Sequence, residues 1–208
     1  MIIALSGYAG VGKDTVADVI CELYPGWQVK RFAGKLKEVA SILTGLKVED
    51  FEDRLIKSMQ LEGWDMTVRE FLQRLGTEAI RDNLHKDAWV NALISEYNRS
   101  MKFEQFCPIC GNSWNTSICS TCNTSKLETK CTTNWIVTDC RFKNEAEQIK
   151  NCGGYVIRIK RPFTKPVNYH QSEVDLDDYE FDYTLHNDKE IDYLETKVKF
   201  MFRQLNLC

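Results

Sequence analysis

The run Gly7-Tyr8-Ala9-Gly10-Val11-Gly12-Lys13-Asp14-Thr15 has the residue types and spacing to hold a phosphate. It fits the frame G-x-x-x-x-G-K and sits between a short apolar run, Ile2 to Ser6, and an amphipathic stretch. Glycines let the backbone curl until successive N–H groups face one anion. The start of the following helix adds its partial positive charge. Lys13 would then reach the β- and γ-phosphates of a nucleotide, with Gly10, Gly12, Asp14 and Thr15 completing the nucleotide-binding set. The residue after the lysine is usually Ser or Thr; here it is Asp14, and Thr15 is the next hydroxyl available to phosphate or Mg²⁺. The competing reading is a plain glycine-rich strand-to-helix turn.

Phosphoryl transfer is mostly positioning and charge stabilisation, so cations and a carboxylate should gather near such a loop. Arg31 and Lys37 follow a second apolar run and are candidates for an acceptor phosphate. Gln73, Arg74 and Arg81 form a polar cluster in a helical stretch, and Arg offers bidentate phosphate recognition. Asp139 and Arg141 close a later apolar run. Asp139 would hold Mg²⁺ through water or orient the attacking oxygen, and Arg141 would neutralise the transferred group; with Lys13 they make the catalytic candidates. For Asp139 the alternative is a cap on the turn before Asn144. Arg158, Arg161 and His170 flank a proline-containing loop suited to a lid over the phosphates. For the remaining cations the alternative is solvated surface charge.

Cys107, Cys110, Cys119 and Cys122 have the spacing C-x2-C-x8-C-x2-C. Two such knuckles present four thiolates to one ion, which satisfies tetrahedral Zn²⁺ with no open position and predicts a structural site. Cys131 lies outside a knuckle. The total of nine cysteines is odd and argues against a disulfide framework. The ribbon either staples a short loop, covers the active site or meets a partner; Lys102, Phe103, Phe106, Trp114, Lys126 and Lys130 around it carry the last idea.

The elements that must position these groups are legible from periodicity. Ile2 to Ser6, Trp27 to Ala33, Trp135 to Asp139, Tyr155 to Lys160 and Tyr183 to His186 read as strands. Val16, Ala17, Val19, Ile20 and Leu23 mark a helix stopped by Pro25-Gly26. Leu36, Val39, Ala40 and Leu43 mark another. Thr67-Val68-Arg69-Glu70 is a capping box, after which Val68, Phe71, Leu72, Leu75, Ala79 and Ile80 should be buried. Asp87 should cap a helix to about Arg99, and Asn144 a short one ending at Gly153-Gly154. The last helix should turn Ile191, Leu194, Val198, Met201 and Leu205 inward. Alternating strands and helices predict an α/β fold: a P-loop NTPase core with a doubly wound, mostly parallel sheet of about five strands. The core is assigned to residues 1–102 and 134–208, and the zinc-ribbon insertion to 103–133.

With 208 residues, 43% hydrophobic and 27% charged, the chain can bury one full core. Its net charge of −3 provides no global basic field for duplex nucleic acid. The N-terminal run lacks a basic lead, and no stretch reaches the length of a membrane span, so a cytoplasmic protein is expected.

These blocks resemble the deoxynucleoside monophosphate kinases of bacteriophages. The resemblance is carried by Leu5 to Val16, Arg31-Phe32-Ala33 with Leu36-Lys37-Glu38, Arg69 to Glu78, Asp139 to Glu147, Gly153-Gly154 and His170-Gln171-Ser172-Glu173. It spans nearly the whole chain outside the cysteine insertion, and Gly-Lys-Asp-Thr is a usual variant there. It implies ATP and Mg²⁺ as co-substrates, transfer to a deoxynucleoside 5′-monophosphate, and a monophosphate side formed by the helix with Gln73, Arg74 and Arg81. It also implies small-molecule nucleotide partners in the host cytoplasm, with a homodimer left open. Kinases of other small acceptors, such as dephospho-coenzyme A, share much of the plan. A zinc-ribbon nucleic-acid-binding ATPase and a non-catalytic nucleotide switch are the rivals from other classes.

Overall fold

The computed structural model describes residues 1–112, 118–122, 124–125, 128–165 and 174–207. Its centre is one sheet of five strands, all parallel: β1 (Ile2–Ser6), β2 (Trp27–Lys30), β5 (Asn134–Val137), β6 (Tyr155–Lys160) and β7 (Tyr183–His186), in the order β2-β5-β1-β6-β7. β1 lies between β5 and β6, with Ile3 opposite Ile136 on one side and Tyr155 on the other. It is the inner strand, and its five residues are all buried, which explains its unbroken apolar run.

Helices cover both faces. On one, α1 (Lys13–Leu23) and α7 (Ile191–Gln204) pack Val16, Ile20, Leu194, Val198 and Phe202 against Ile3, Leu5 and Ile157. On the other, α5 (Ala88–Ser100) and α6 (Lys143–Asn151) bring Val90, Leu93 and Ile149 onto Ile2, Ala4 and Trp135. A third cluster, Ala40, Phe51, Leu61, Val68 and Phe71, joins α2 (Phe32–Thr44), a 3-10 turn (Val48–Phe51), α3 (Arg54–Ser58) and α4 (Val68–Gln73) into a lobe beside the sheet.

Several expectations shift. β2 ends at Lys30, and Phe32 and Ala33 already belong to α2. The reason is tertiary: the Asp139 carboxylate accepts their N–H groups at 2.8 and 2.9 Å and starts the helix there. In α2, Leu43 is exposed while Lys37 is buried. The capping box at Thr67 and Glu70 is present, but the helix it opens changes winding. Residues Arg74–Asp82 form a π-helix, the wider turn rotates Ala79 to the surface, and Gly76 is buried instead. A Cβ on Gly76 would stand 2.8 Å from Leu36 Cδ2, so the missing side chain lets the π segment lie against α2. Asp87 precedes α5 without capping it through its side chain; its carboxylate accepts from Asn144 Nδ2 at 2.6 Å. Asn144, expected as the α6 cap, is thus occupied, and Glu145 takes the capping task. Ile191 is exposed at the start of α7.

The insertion forms its own antiparallel pair, β3 (Phe103–Phe106) with β4 (Glu128–Cys131), Phe103 facing Cys131. Thr133 ties its base to the core: its hydroxyl donates to Ser100 O at 2.8 Å and accepts from Lys102 N at 2.9 Å, and its carbonyl accepts from the Met1 amino group. β5 starts at once afterwards and runs parallel to β1. The ribbon therefore springs from the amino edge of the sheet, opposite the carboxyl edge where β1 delivers the glycine loop. The length of α5 separates Trp89 from it, about 20 Å at 1.5 Å per residue. Among the described residues no helix is long and apolar enough to cross a membrane.

Candidate active site

The glycine loop leaves β1 at Ser6 and enters α1 at Lys13. Gly10 and Gly12 take φ of 80° and 92°, values open to glycine at little cost. At Gly12 a second constraint applies, because Asn187 Nδ2 would lie 2.3 Å from any Cβ there. That amide donates to Val11 O at 2.9 Å and buttresses the loop from the end of β7. Lys13 curls back over the loop, its Nζ donating to the carbonyls of Gly7 at 2.7 Å and Tyr8 at 3.1 Å. The ammonium is thus held at the loop that leads into α1. Asp14 points to Arg31, which approaches it at 2.8 Å and Glu52 at 3.8 Å; Glu52 in turn pairs with Lys37. This chain of charges ties the loop to the start of α2.

Beyond α2 lies a cleft of about 940 Å³. Gln73, Arg74, Arg81, Asp139 and Arg141 all line it, so the structure brings these sequence candidates to one place. Arg31 and Lys37 do not line it: they are committed to Asp14 and Glu52 and serve the junction between loop and cleft. Arg54, Lys57 and Arg69 line it and were missed. Arg69 stood in a resemblance block without a site role, and no sequence signal marks Arg54 and Lys57, which only the fold of α3 against α4 brings to the cleft. Burial together with the neighbouring charges of Lys37, Arg69 and Arg54 pushes the Lys57 ammonium below its ordinary value. Such a crowd of cations favours an anionic occupant. Trp89 forms part of the wall and donates from Nε1 to Gly76 O at 2.9 Å, fixing its ring against the π-helix.

Asp139 is half-buried, and desolvation raises its pKa against the lowering effect of the Ala33 and Phe32 N–H bonds. The helix it starts is α2, not the segment before Asn144. Each oxygen keeps a further lone pair beyond its N–H bond. Glu145, also missed, accepts from the N–H groups of Arg141 at 2.7 Å and Phe142 at 3.1 Å. Burial lifts its carboxyl to about 7 despite those bonds and the Arg81 charge. Arg81 stacks 4.2 Å over the Phe142 ring.

The lid set divides. Arg158 lies inside β6, buried, donating to Asp177 Oδ1 at 2.7 Å and Ser6 Oγ at 3.3 Å and facing the Tyr8 ring at 4.8 Å. Its backbone is held in the β ladder, while its side chain lines the same second cavity as Arg161. Arg161 is exposed beside a second cavity of about 510 Å³ that also touches Tyr8, Val11 and Lys160. His170, with Ser172 and Glu173, lies outside the described residues, as do Trp114 and Lys126.

At the ribbon, the Sγ atoms of Cys107, Cys110, Cys119 and Cys122 lie within 4.8 Å of one another. Tetrahedral zinc with bonds of about 2.3 Å sets its sulfurs about 3.8 Å apart, so the cluster fits with slight contraction. Backbone bonds shape the knuckles: Gly111 N donates to Cys107 O at 2.8 Å and Cys119 N to Thr124 O at 2.9 Å. N–H groups of Cys122 and Thr121 hold the Cys119 thiol down to about 7, while bonding to Cys110 helps push Cys122 up to about 12. Four thiols this close ionise together only around a cation. Cys131 stays outside, in β4.

A glycine loop between the first strand and first helix, at the carboxyl edge of a parallel sheet and beside a cleft lined by six cations and five carboxylates, has the build of a P-loop kinase. The dephospho-CoA kinase from Campylobacter jejuni shares this fold, at 12% identity over 98% of this chain and 96% of its own, with a TM-score of 0.50. Shikimate kinase from Bacteroides thetaiotaomicron aligns over 99% and 98% at 13% identity and a TM-score of 0.49. More narrowly, the chain belongs to the deoxynucleotide monophosphate kinase family, whose profile matches residues 41–198. That match begins after the glycine loop, so loop and family signal are independent. An Acanthamoeba polyphaga mimivirus protein provisionally named deoxynucleotide monophosphate kinase is 28% identical over 209 residues, covering 95% of this chain and 94% of its own. The protein is an ATP-dependent nucleotide kinase.

Proposed function

We propose that the protein transfers the γ-phosphoryl group of ATP to a deoxynucleoside 5′-monophosphate, yielding ADP and the deoxynucleoside diphosphate. The observation that carries this is the joining of the phosphate loop, through Asp14 and Arg31, to a cleft whose wall holds Arg54, Lys57, Arg69, Arg74, Arg81 and Arg141. A monophosphate ester carries nearly two negative charges and suits such a wall. Trp89 offers a fixed aromatic face for a base.

In this reading the loop N–H groups and the start of α1 bind the donor phosphates, and Lys13 exchanges its two carbonyl bonds for phosphate oxygens. Gly10 and Gly12 permit the curl. Asp14 and Thr15 place a carboxylate and a hydroxyl at the start of α1, hard oxygen donors that suit Mg²⁺. Mg²⁺, when bound, would neutralise phosphate charge during transfer. Asp139 retains lone pairs to receive a metal-bound water or to orient the attacking oxygen. Arg141 and Arg81 stabilise charge on the transferred and accepting groups. Arg161 closes over the donor side from the second cavity. The cysteine site holds Zn²⁺ as a structural staple, with residues 103–133 an appendage to the core formed by 1–102 and 134–208.

The test is a coupled ADP-release assay with ATP and Mg²⁺ against all deoxy- and ribonucleoside monophosphates, with dephospho-coenzyme A and DNA as controls. Turnover with one or more deoxynucleotides supports the reading. Turnover confined to dephospho-coenzyme A, or to DNA, replaces the acceptor.

A further inference from the structure

Two arginines in the cleft, Arg81 and Arg141, come from elements far apart in sequence, and both meet one buried carboxylate. Glu145 stands in the first turn of α6 and is only 3% exposed. Its Oε2 accepts the N–H groups of Arg141 and Phe142, which fixes the backbone from which Arg141 projects. Its Oε1 lies 3.6 Å from Arg81 Nη2. Arg81 also rests on the Phe142 ring at 4.2 Å, so the guanidinium is located by a charge at one place and an aromatic face at another. Phe142 is itself held by Glu145, so the same carboxylate governs both constraints.

The Arg81 contact is longer than a hydrogen bond, so it is a through-space ion pair. A cap alone would use the carboxylate only on the N–H side, and a glutamine would serve it nearly as well. The second oxygen, turned to an arginine of the π-helix, is the feature a cap does not require. The π winding matters because it decides where Arg81 falls: nine residues from Arg74 to Asp82 are wound wider than an α-helix, yet Arg74, Gly76, Thr77, Glu78 and Arg81 all stay on the cleft.

We infer that Glu145 is a positioning residue of the acceptor site, fixing Arg81 and Arg141 as one array that receives the phosphate of the acceptor nucleotide. It touches neither reactant; it acts through the two arginines. An anion entering the cleft then meets the Arg81 guanidinium already placed and Arg141 on an anchored backbone, and less ordering entropy opposes binding. The inference rests on the kinase reading above.

The experiment is steady-state kinetics of Glu145→Gln with the deoxynucleotide that the wild-type chain uses best, with Tm measured in parallel. The amide keeps an oxygen for the Arg141 and Phe142 N–H groups but turns an uncharged group to Arg81. The expected result is a KM for the acceptor raised about tenfold, with the KM for ATP changed less than twofold. In a double-mutant cycle with Arg81→Ala the two losses should be strongly non-additive, since both remove one arrangement. A folded Glu145→Gln with wild-type acceptor KM, or losses that simply add, overturns the inference. Should Glu145→Gln fail to fold, Glu145→Asp retains the charge and retracts it by one methylene; a folded Asp variant with unchanged acceptor KM is equally fatal. A wild-type chain inert toward every deoxynucleotide sinks the kinase reading instead, so the two failures are distinct.

Discussion

Asp139 is the residue whose replacement separates two roles most cleanly. Its carboxylate accepts the N–H groups of Phe32 and Ala33 at 2.8 and 2.9 Å at the start of α2, in a part-buried site. Bonds to a charged acceptor contribute about 1.5–3 kcal/mol each, and an anion at a helix N-terminus adds up to ~2 kcal/mol. Asp139→Ala leaves both N–H groups unsatisfied and should cost about 4 kcal/mol; Asp139→Asn keeps one acceptor and should cost about half that. At about 2–4 °C per kcal/mol for a chain of this size, the alanine variant should melt roughly 8–16 °C lower. Calorimetry of the nucleotide-free protein measures this without any contribution from substrate. A polar residue kept only for chemistry would behave otherwise, and its removal would leave Tm unchanged or raise it. An alanine variant melting within 2 °C of wild type would refute the claim that Asp139 anchors α2, and would return it to a purely catalytic role.

Lys13→Ala should abolish turnover while changing Tm by less than 2 °C, because its loop bonds are made in a part-buried site and replaced by water; retained turnover would refute the loop mechanism. Arg141→Ala should lower kcat far more than it weakens ATP binding, checked by steady-state kinetics beside ATP titration. Chelation, or Cys107→Ser, should lower Tm, while enzyme that stays folded keeps its KM for both substrates, because the ribbon leaves the sheet at the edge opposite the loop. A change in KM without a change in Tm would contradict that. Glu145 adds a pH signature. Its carboxyl is raised from 4.5 to about 7 on folding, so the stability linked to its proton is fully present below about 4.5 and is lost as pH rises through about 7. The gap corresponds to at most ~3 kcal/mol. Glu145→Gln never ionises, so its Tm relative to wild type should be higher at pH 8 than at pH 5; an unchanged difference would show that burial does not govern this group.

The motifs built from residues adjacent in sequence were legible in the sequence. The glycine loop depends on residues adjacent in sequence, so Gly10, Gly12 and Lys13 declared themselves by spacing. The cysteine knuckles did so for the same reason, and the period of two or 3.6 in apolar residues marked the five strands and the principal helices. Arg74, Arg81 and Arg141 were recognisable as cations flanking such elements, and the cleft does gather them. What the tertiary structure alone decided were pairings across long sequence separations. Asp139 ends β2 early because it reaches the backbone 106 and 107 residues away. Arg31 and Lys37 looked free for an acceptor until Asp14 and Glu52 claimed them. Arg158 was expected in a strand beside a lid loop, and only the fold showed its side chain paired with Asp177. Glu145 stood inside a resemblance block with no role assigned to it, and the π winding after Arg74 goes with the packing of Gly76 on Leu36. Local spacing specifies which groups can do chemistry; burial and long-range charge decide which are left free to do it.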